Sequence, residues 1–215
     1  MYKVYLSPSD QTNNLYAYGN TTEAVQCGKI AEACRAALER SGVSVKIGHM
    51  ISMQQKCKES NEYGANLHVP IHTNAFNGKV SGTRMFCFNN TGNGMKACKK
   101  IFASLAPVTP GKSENIKVDS TLYEVRVPNA PTAYVECEFH DNPTTAKWII
   151  ENNNAIGEAI ARGICDYFNI EYKKPDKLLY RVQVGAYSVK ANANKMLDKL
   201  LKAGFSGFII TTKEK

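Results

Sequence analysis

Apolar positions recur with two different periods along the first 170 residues, and the switches between them divide the chain into short strands and longer helices. Residues 2–6 read as a strand, followed by a polar stretch over 7–18. Asn20-Thr21-Thr22-Glu23 predicts a capping box, with Asn20 as N-cap and Glu23 at the third helical position. The helix it opens runs to about Arg40 on the spacing of Ala24, Cys27, Ala31, Cys34 and Leu38, and Ser41-Gly42 stops it. Residues 43–47 predict a strand and 53–63 a weaker helix. Residues 65–71 predict a strand with Pro70 near its end, and Gly82 opens another over 83–88. Residues 94–105 are helical, closed by Pro107. Residues 113–127 predict a strand with flanking loops. Residues 132–139 form a strongly apolar strand carrying two acids. Asp141-Asn142-Pro143 then starts a helix, with proline at its first position, that continues through Trp148, Ile149, Ile156, Ile160 and Ile164 to about Phe168.

This alternation predicts an α/β fold, with a mostly parallel sheet flanked by helices and its site where strands end and loops begin. Residues 1–170 form the main domain and the charged, proline-bearing residues 171–178 a linker. In the segment 179–215, a strand over 180–184, a helix over 189–203 and a strand over 205–211 make a small βαβ unit. That unit is too short to bury a stable core alone.

Composition narrows the classes. Of 215 residues, 43% are hydrophobic and 21% charged, a globular mix that excludes disorder and collagen-like structure. No apolar run approaches the ~18 residues of a membrane span, and no secretory signal is visible at the N-terminus. Cysteines at 27, 34, 57, 87, 98, 137 and 165 are odd in number and contain no CxxC pair, so they predict free buried thiols in a chain folded in a reducing cytosol. The formal net charge of +8 is unevenly placed. Residues 1–170 carry 17 basic against 15 acidic side chains, and residues 171–215 carry 10 against 4. A basic tail suits a polyanion, or simply keeps the chain soluble.

The candidate chemistry lies in three pieces. His68 and His72 sit four apart on one extended segment, so they share a face yet lie roughly 13 Å apart at ~3.3 Å per residue, too far to share one ion easily. His72 falls just past the apolar run, where sites form; His68 lies inside it and reads as a packed histidine. Glu136 and Glu138 project to one face of an otherwise apolar strand, and a buried carboxylate calls for a metal, a cation or a substrate nearby. Glu23 stands at a helix N-terminus after a strand, a position that capping alone also explains.

Together these pieces resemble a zinc-dependent N-acetylmuramoyl-L-alanine amidase of amidase type 3, found in cell-wall hydrolases and phage endolysins. The resemblance spans about residues 2–168. It rests on Ile71-His72-Thr73-Asn74-Ala75, on the strand Thr132–Asn142 (TAYVECEFHDN) and on Glu23 at the opening of the first long helix. It implies one Zn²⁺ activating water for attack on the amide between N-acetylmuramic acid and the L-alanine of the stem peptide. Glu23 and His72 would be metal ligands and Glu136 the catalytic carboxylate. The family's early histidine, in an Asp-x-Gly-His-Gly type loop, is replaced here by Ser7-Pro8-Ser9-Asp10-Gln11, with no histidine before position 49. His140 is the first choice for the third ligand and Asp10 the alternative.

The tail resembles the first half of a SPOR repeat, on Tyr180-Arg181-Val182-Gln183-Val184-Gly185-Ala186-Tyr187, Asn192-Ala193, Leu197, Leu200 and Ala203-Gly204-Phe205. That module is associated with peptidoglycan binding, and a full module has two such halves, so two copies of this chain could complete one as a homodimer. The implied protein is a peptidoglycan hydrolase, a phage or prophage endolysin or a bacterial autolysin, made in the cytoplasm and acting on the wall after release. Peptidoglycan is the expected partner, with no nucleic acid and no membrane. The competing reading is a noncatalytic peptidoglycan-binding protein on a degenerate amidase fold.

Overall fold

A computed structural model describes residues 1–113, 115–175 and 182–212. It divides into two compact units, Met1–Pro175 and Asp176–Lys215. In the first, β1 (Lys3–Pro8), β2 (Ser44–Ile47), β3 (Leu67–Asn74), β4 (Arg84–Cys87), β5 (Ile116–Val118) and β6 (Tyr134–Phe139) form one six-stranded sheet in the order β2-β1-β3-β6-β4-β5. All neighbouring pairs are parallel except β4 with β6, which run antiparallel. The helices are α1 (Glu23–Arg40), α2 (Met53–Tyr63), α3 (Gly92–Leu105), the four-residue α4 (Tyr123–Arg126) and α5 (Pro143–Phe168).

Alternation along the strands sets the two layers. Val4 and Leu6 of β1 and Leu67, Val69 and Ile71 of β3 join Cys27, Ile30 and Leu38 of α1, Ile101 of α3 and Ile149, Ile160 and Ile164 of α5 in one continuous core. The intervening residues face α2 and α4: Tyr5 reaches Glu59, and Ser7 and His68 reach Glu124. Burying so much apolar surface on one face is the main stabilising contribution. All seven cysteines are free and buried.

The element boundaries differ from expectation in physically informative places. The cap of α1 is Thr22, whose side chain accepts from Val25 N, so Glu23 is the first helical residue; Asn20 sits before it in a left-handed turn (φ 47°). This releases the Glu23 carboxylate from capping. The predicted strand over 113–127 resolves, among its described residues, into β5 followed by α4, a helix of one turn too short to leave a periodic signal. Asn142 caps α5 with Pro143 at its first position, as expected.

In the second unit, α6 (Lys190–Lys202) is present and buries none of its residues. No strand forms over the described residues 182–184 or 205–211, where two were expected; the rest of the first, residues 180–181, lies outside the described residues. Val182, Val184, Phe205, Phe208 and Ile210 are exposed. Two short strands with no third strand and no covered face do not hold a ladder in water.

Candidate active site

The C-terminal end of β3 delivers His72 into the sheet's centre, between β1 and β6. His72 Nδ1 lies 2.9 Å from Glu23 Oε1, which also accepts from Thr73 N at 3.3 Å. The other oxygen, Oε2, accepts from the Asn14 amide at 2.7 Å. Glu23 is buried, which pushes its carboxyl up, yet the hydrogen bond and charge of His72, with Asn14 and Ser9, bring it below the usual carboxylate range. Burial lowers His72, and the carboxylates of Glu23, Glu136 and Glu124 outweigh it and raise the imidazole above its ordinary value.

Glu136 is the register partner of His72 across β3–β6 and of Arg84 across β6–β4. Burial pushes its carboxyl up to about 7; Glu23 adds to that, while His72 and Arg84 act against it. Its Oε2 is shut off from solvent without a hydrogen-bond partner. Tyr134, on the same strand, stacks on His72 with ring centroids 4.8 Å apart.

A further carboxylate, which no sequence pattern singled out, enters from α4. Glu124 accepts from Ser7 Oγ, lies 3.4 Å from His68 Nε2 through Oε1, and places Oε2 4.0 Å from His72 Nε2. Burial pushes its carboxyl up, but His68, Ser7 and His72 hold it below the ordinary range. The histidines that spacing separates are thus linked by one side chain. Its four-residue helix, Tyr123-Glu124-Val125-Arg126, carries no periodic signal in the sequence.

Two expected residues are not brought into this cluster. His140 Nδ1 is 3.0 Å from both the Thr73 carbonyl and the Thr73 hydroxyl, and its ring stacks on Tyr16. The cause is a register shift: His72 opposes Glu136, but Asn74 opposes Phe139. The extra residue on β6 shifts the alternation by one, so His140 takes the side of Thr73 rather than that of His72. The same bulge parts Glu136 from Glu138, whose Oε1 accepts from Gly82 N at 2.5 Å and Phe139 N at 2.9 Å. Gly82 has φ +113°, and a Cβ there would stand 2.4 Å from the Lys112 carbonyl oxygen. Asp10 lies 3.9 Å from the fully buried Lys56 ammonium, which donates to the Pro8 carbonyl at 2.6 Å. It therefore has a cationic partner in Lys56.

Among the described residues, two donor sets could hold a metal. One is Glu23 with His72, flanked by Glu136. The other is Cys57, His68 and Glu124, whose ligating atoms lie within 4.8 Å of one another. Without a metal, burial and the Glu124 charge push the Cys57 thiol up to about 12. The first set fits a divalent cation better. Its 2.9 Å separation is close to the roughly 3.3 Å between two ligand atoms on a tetrahedral zinc with bonds of ~2.0–2.1 Å. The buried carboxylates of Glu23 and Glu124 and the partly buried one of Glu136 gather around His72, and such excess negative charge is stabilised by a bound cation.

Comparison with known proteins settles the class. The family described as N-acetylmuramoyl-L-alanine amidase matches residues 9–166. The chain belongs to the N-acetylmuramoyl-L-alanine amidase family. It is a peptidoglycan amidase. A second family, the SPOR domain, matches residues 153–215. This amidase is 24% identical over 219 residues to the sporulation-specific N-acetylmuramoyl-L-alanine amidase of Bacillus subtilis (strain 168), covering 98% of this chain and 85% of that one. It is 25% identical over 221 residues to the N-acetylmuramoyl-L-alanine amidase CwlM of Bacillus licheniformis, with the same coverage. Its fold is that of the catalytic domain of CwlV, an N-acetylmuramoyl-L-alanine amidase from Bacillus (Paenibacillus) polymyxa var. colistinus, with a TM-score of 0.72 at 16% identity, covering 80% of this chain and all of that one. Among the described residues no helix is long and apolar enough to cross a membrane.

Proposed function

We propose that this amidase cleaves the lactyl amide of peptidoglycan at the end of β3, with a zinc ion held by Glu23 and His72 and with Glu136 as the proton-transferring carboxylate. The observation that carries the reading is the 2.9 Å approach of Glu23 Oε1 to His72 Nδ1, directly beside Glu136 in register. Zinc bound there would supply Lewis-acid polarisation of the amide and acidify a water.

The chain's own side chains do the rest. Glu136, pushed up to about 7 by burial, is suited to take a proton from the attacking water and return it to the leaving L-alanine nitrogen. Arg84, opposite it on β4, favours the ionised form that accepts the proton. Tyr134 covers one face of His72 and excludes water from it. Asn14 and Thr73 N fix the Glu23 carboxylate so that one oxygen faces His72. His140 and Asp10 are left in supporting positions, on Thr73 and Lys56 respectively.

We assign residues 1–170 as the catalytic domain, 171–178 as the linker and 179–215 as a SPOR-like half repeat that binds wall polymer, dimerises or both. The support for the tail is its basic excess and its row of exposed apolar residues. The enzyme serves as an endolysin or an autolysin and acts on the wall after release. The experiment is a digest of purified peptidoglycan with and without chelator. Zinc-dependent release of stem peptides bearing a free N-terminal L-alanine is expected; intact walls would refute the catalytic reading and favour a wall-binding protein.

A further inference from the structure

The structure assigns Glu124 as the carboxylate that positions His72 as a metal ligand, with Ser7 and His68 as its anchors. The inference rests on the reading that Glu23 and His72 hold the metal, and it starts from a proton count. A metal taken between Glu23 Oε1 and His72 Nδ1 needs the Nδ1 lone pair. The imidazole then carries its proton on Nε2. That atom is buried and lacks any hydrogen-bond partner, so its N–H would be an unsatisfied buried donor.

The atom aimed at it is Glu124 Oε2, 4.0 Å away, which is also buried and without a hydrogen-bond partner. The two orphans answer each other. A side-chain shift of ~1 Å brings them to hydrogen-bond distance.

The rest of Glu124 is held firmly enough to act as a fixed point. Its Oε1 takes the Ser7 hydroxyl from β1 and lies 3.4 Å from His68 Nε2. His68 is itself fully buried and stacks on Tyr5, with ring centroids 5.4 Å apart. A ligating histidine whose second nitrogen donates to a carboxylate is held in one tautomer and one ring orientation, and is a more basic ligand. Glu124 is thus a positioning residue, acting through His72 rather than on the substrate.

The test measures zinc affinity by competition with a chromophoric chelator, together with the melting temperature of the zinc-free protein. Glu124→Met keeps the volume and removes the acceptor, and is expected to weaken zinc binding about 10–100-fold; the zinc-free melting temperature is expected to fall, because Ser7 and His68 lose a buried partner, and only the zinc affinity reports on positioning. Glu124→Gln keeps an oxygen acceptor and is expected to recover part of that loss; it also carries the test if the Met variant does not fold. Wild-type zinc affinity in both variants would overturn the assignment. Complete loss of zinc in the Gln variant, equal to that in His72→Ala, would overturn it in the other direction by making Glu124 a ligand. Should His72→Ala bind zinc as the wild type does, the failure lies in the ligand reading and not in Glu124.

Discussion

His72 and Glu23 meet at 2.9 Å although 49 positions separate them, one from the end of β3 and the other from the first turn of α1. Parallel pairing of β1 with β3 carries both strand ends to the same edge of the sheet, and the loop after β1 leads directly into α1. The site is therefore a product of topology, and its chemistry can be separated residue by residue.

Glu136→Gln should lower amide hydrolysis about 10²–10⁴-fold, the usual consequence of removing a general acid–base. The melting temperature should hold or rise, because burial opposes the charge that the substitution removes. Wall-lysis rates beside thermal unfolding check both halves.

His72→Ala and Glu23→Gln should each abolish stoichiometric zinc in native mass spectrometry. Their folds should survive, since neither side chain belongs to the continuous apolar core.

His140→Ala should keep its zinc and instead lose stability. It removes two contacts to Thr73 and a stack on Tyr16, and cutting buried polar partners of this kind typically costs ~1–3 kcal/mol. Asp10→Ala should also keep its zinc, with a smaller loss of stability because Asp10 is partly exposed. Zinc content after gel filtration and chemical denaturation distinguish this from a ligand role.

Stability should fall as pH rises from about 4.5 to about 7. Burial pushes the Glu138 carboxyl up to about 7 against an ordinary value of 4.5. A group whose folded value is raised binds its proton more tightly when folded, so an acid of this kind favours the folded state while protonated and opposes it once ionised. Glu138→Gln keeps an acceptor for Gly82 N and Phe139 N and should flatten the decline. Melting temperatures across pH 4–8 for the two proteins report the difference.

Much of the fold was legible because long amphipathic helices and apolar strands announce themselves; α1, α2 and α5 fall close to the residues their periodicity marks. His72 and Glu136 stood out as an imidazole and an acid on apolar strands, whereas Glu23 opens a helix, where capping alone would explain it, and only the family resemblance gave it a role. What escaped was three-dimensional. A single extra residue on β6 moved His140 to the side of Thr73, and no periodicity reports a bulge. Glu124 rides on one helical turn, too short to read, and its importance comes only from Ser7, His68 and His72 arriving from other strands. In the tail, β-prone residues were present, but among the described residues no partner strand turns them into a ladder.

That tail gives one more expectation. Two copies should associate through residues 179–211 and cover Val182, Val184, Phe205 and Phe208. Light scattering at tens of micromolar should report a dimer for the full chain and a monomer for a chain ending at Pro175. Two monomers would remove the tail from any role in assembly.

The most direct test of the central claim is mass spectrometry of a purified-peptidoglycan digest after treatment with EDTA and after zinc is restored. The account predicts no free stem peptide in the first and stem peptides beginning with L-alanine in the second. Equal release in both would contradict a metal held by Glu23 and His72.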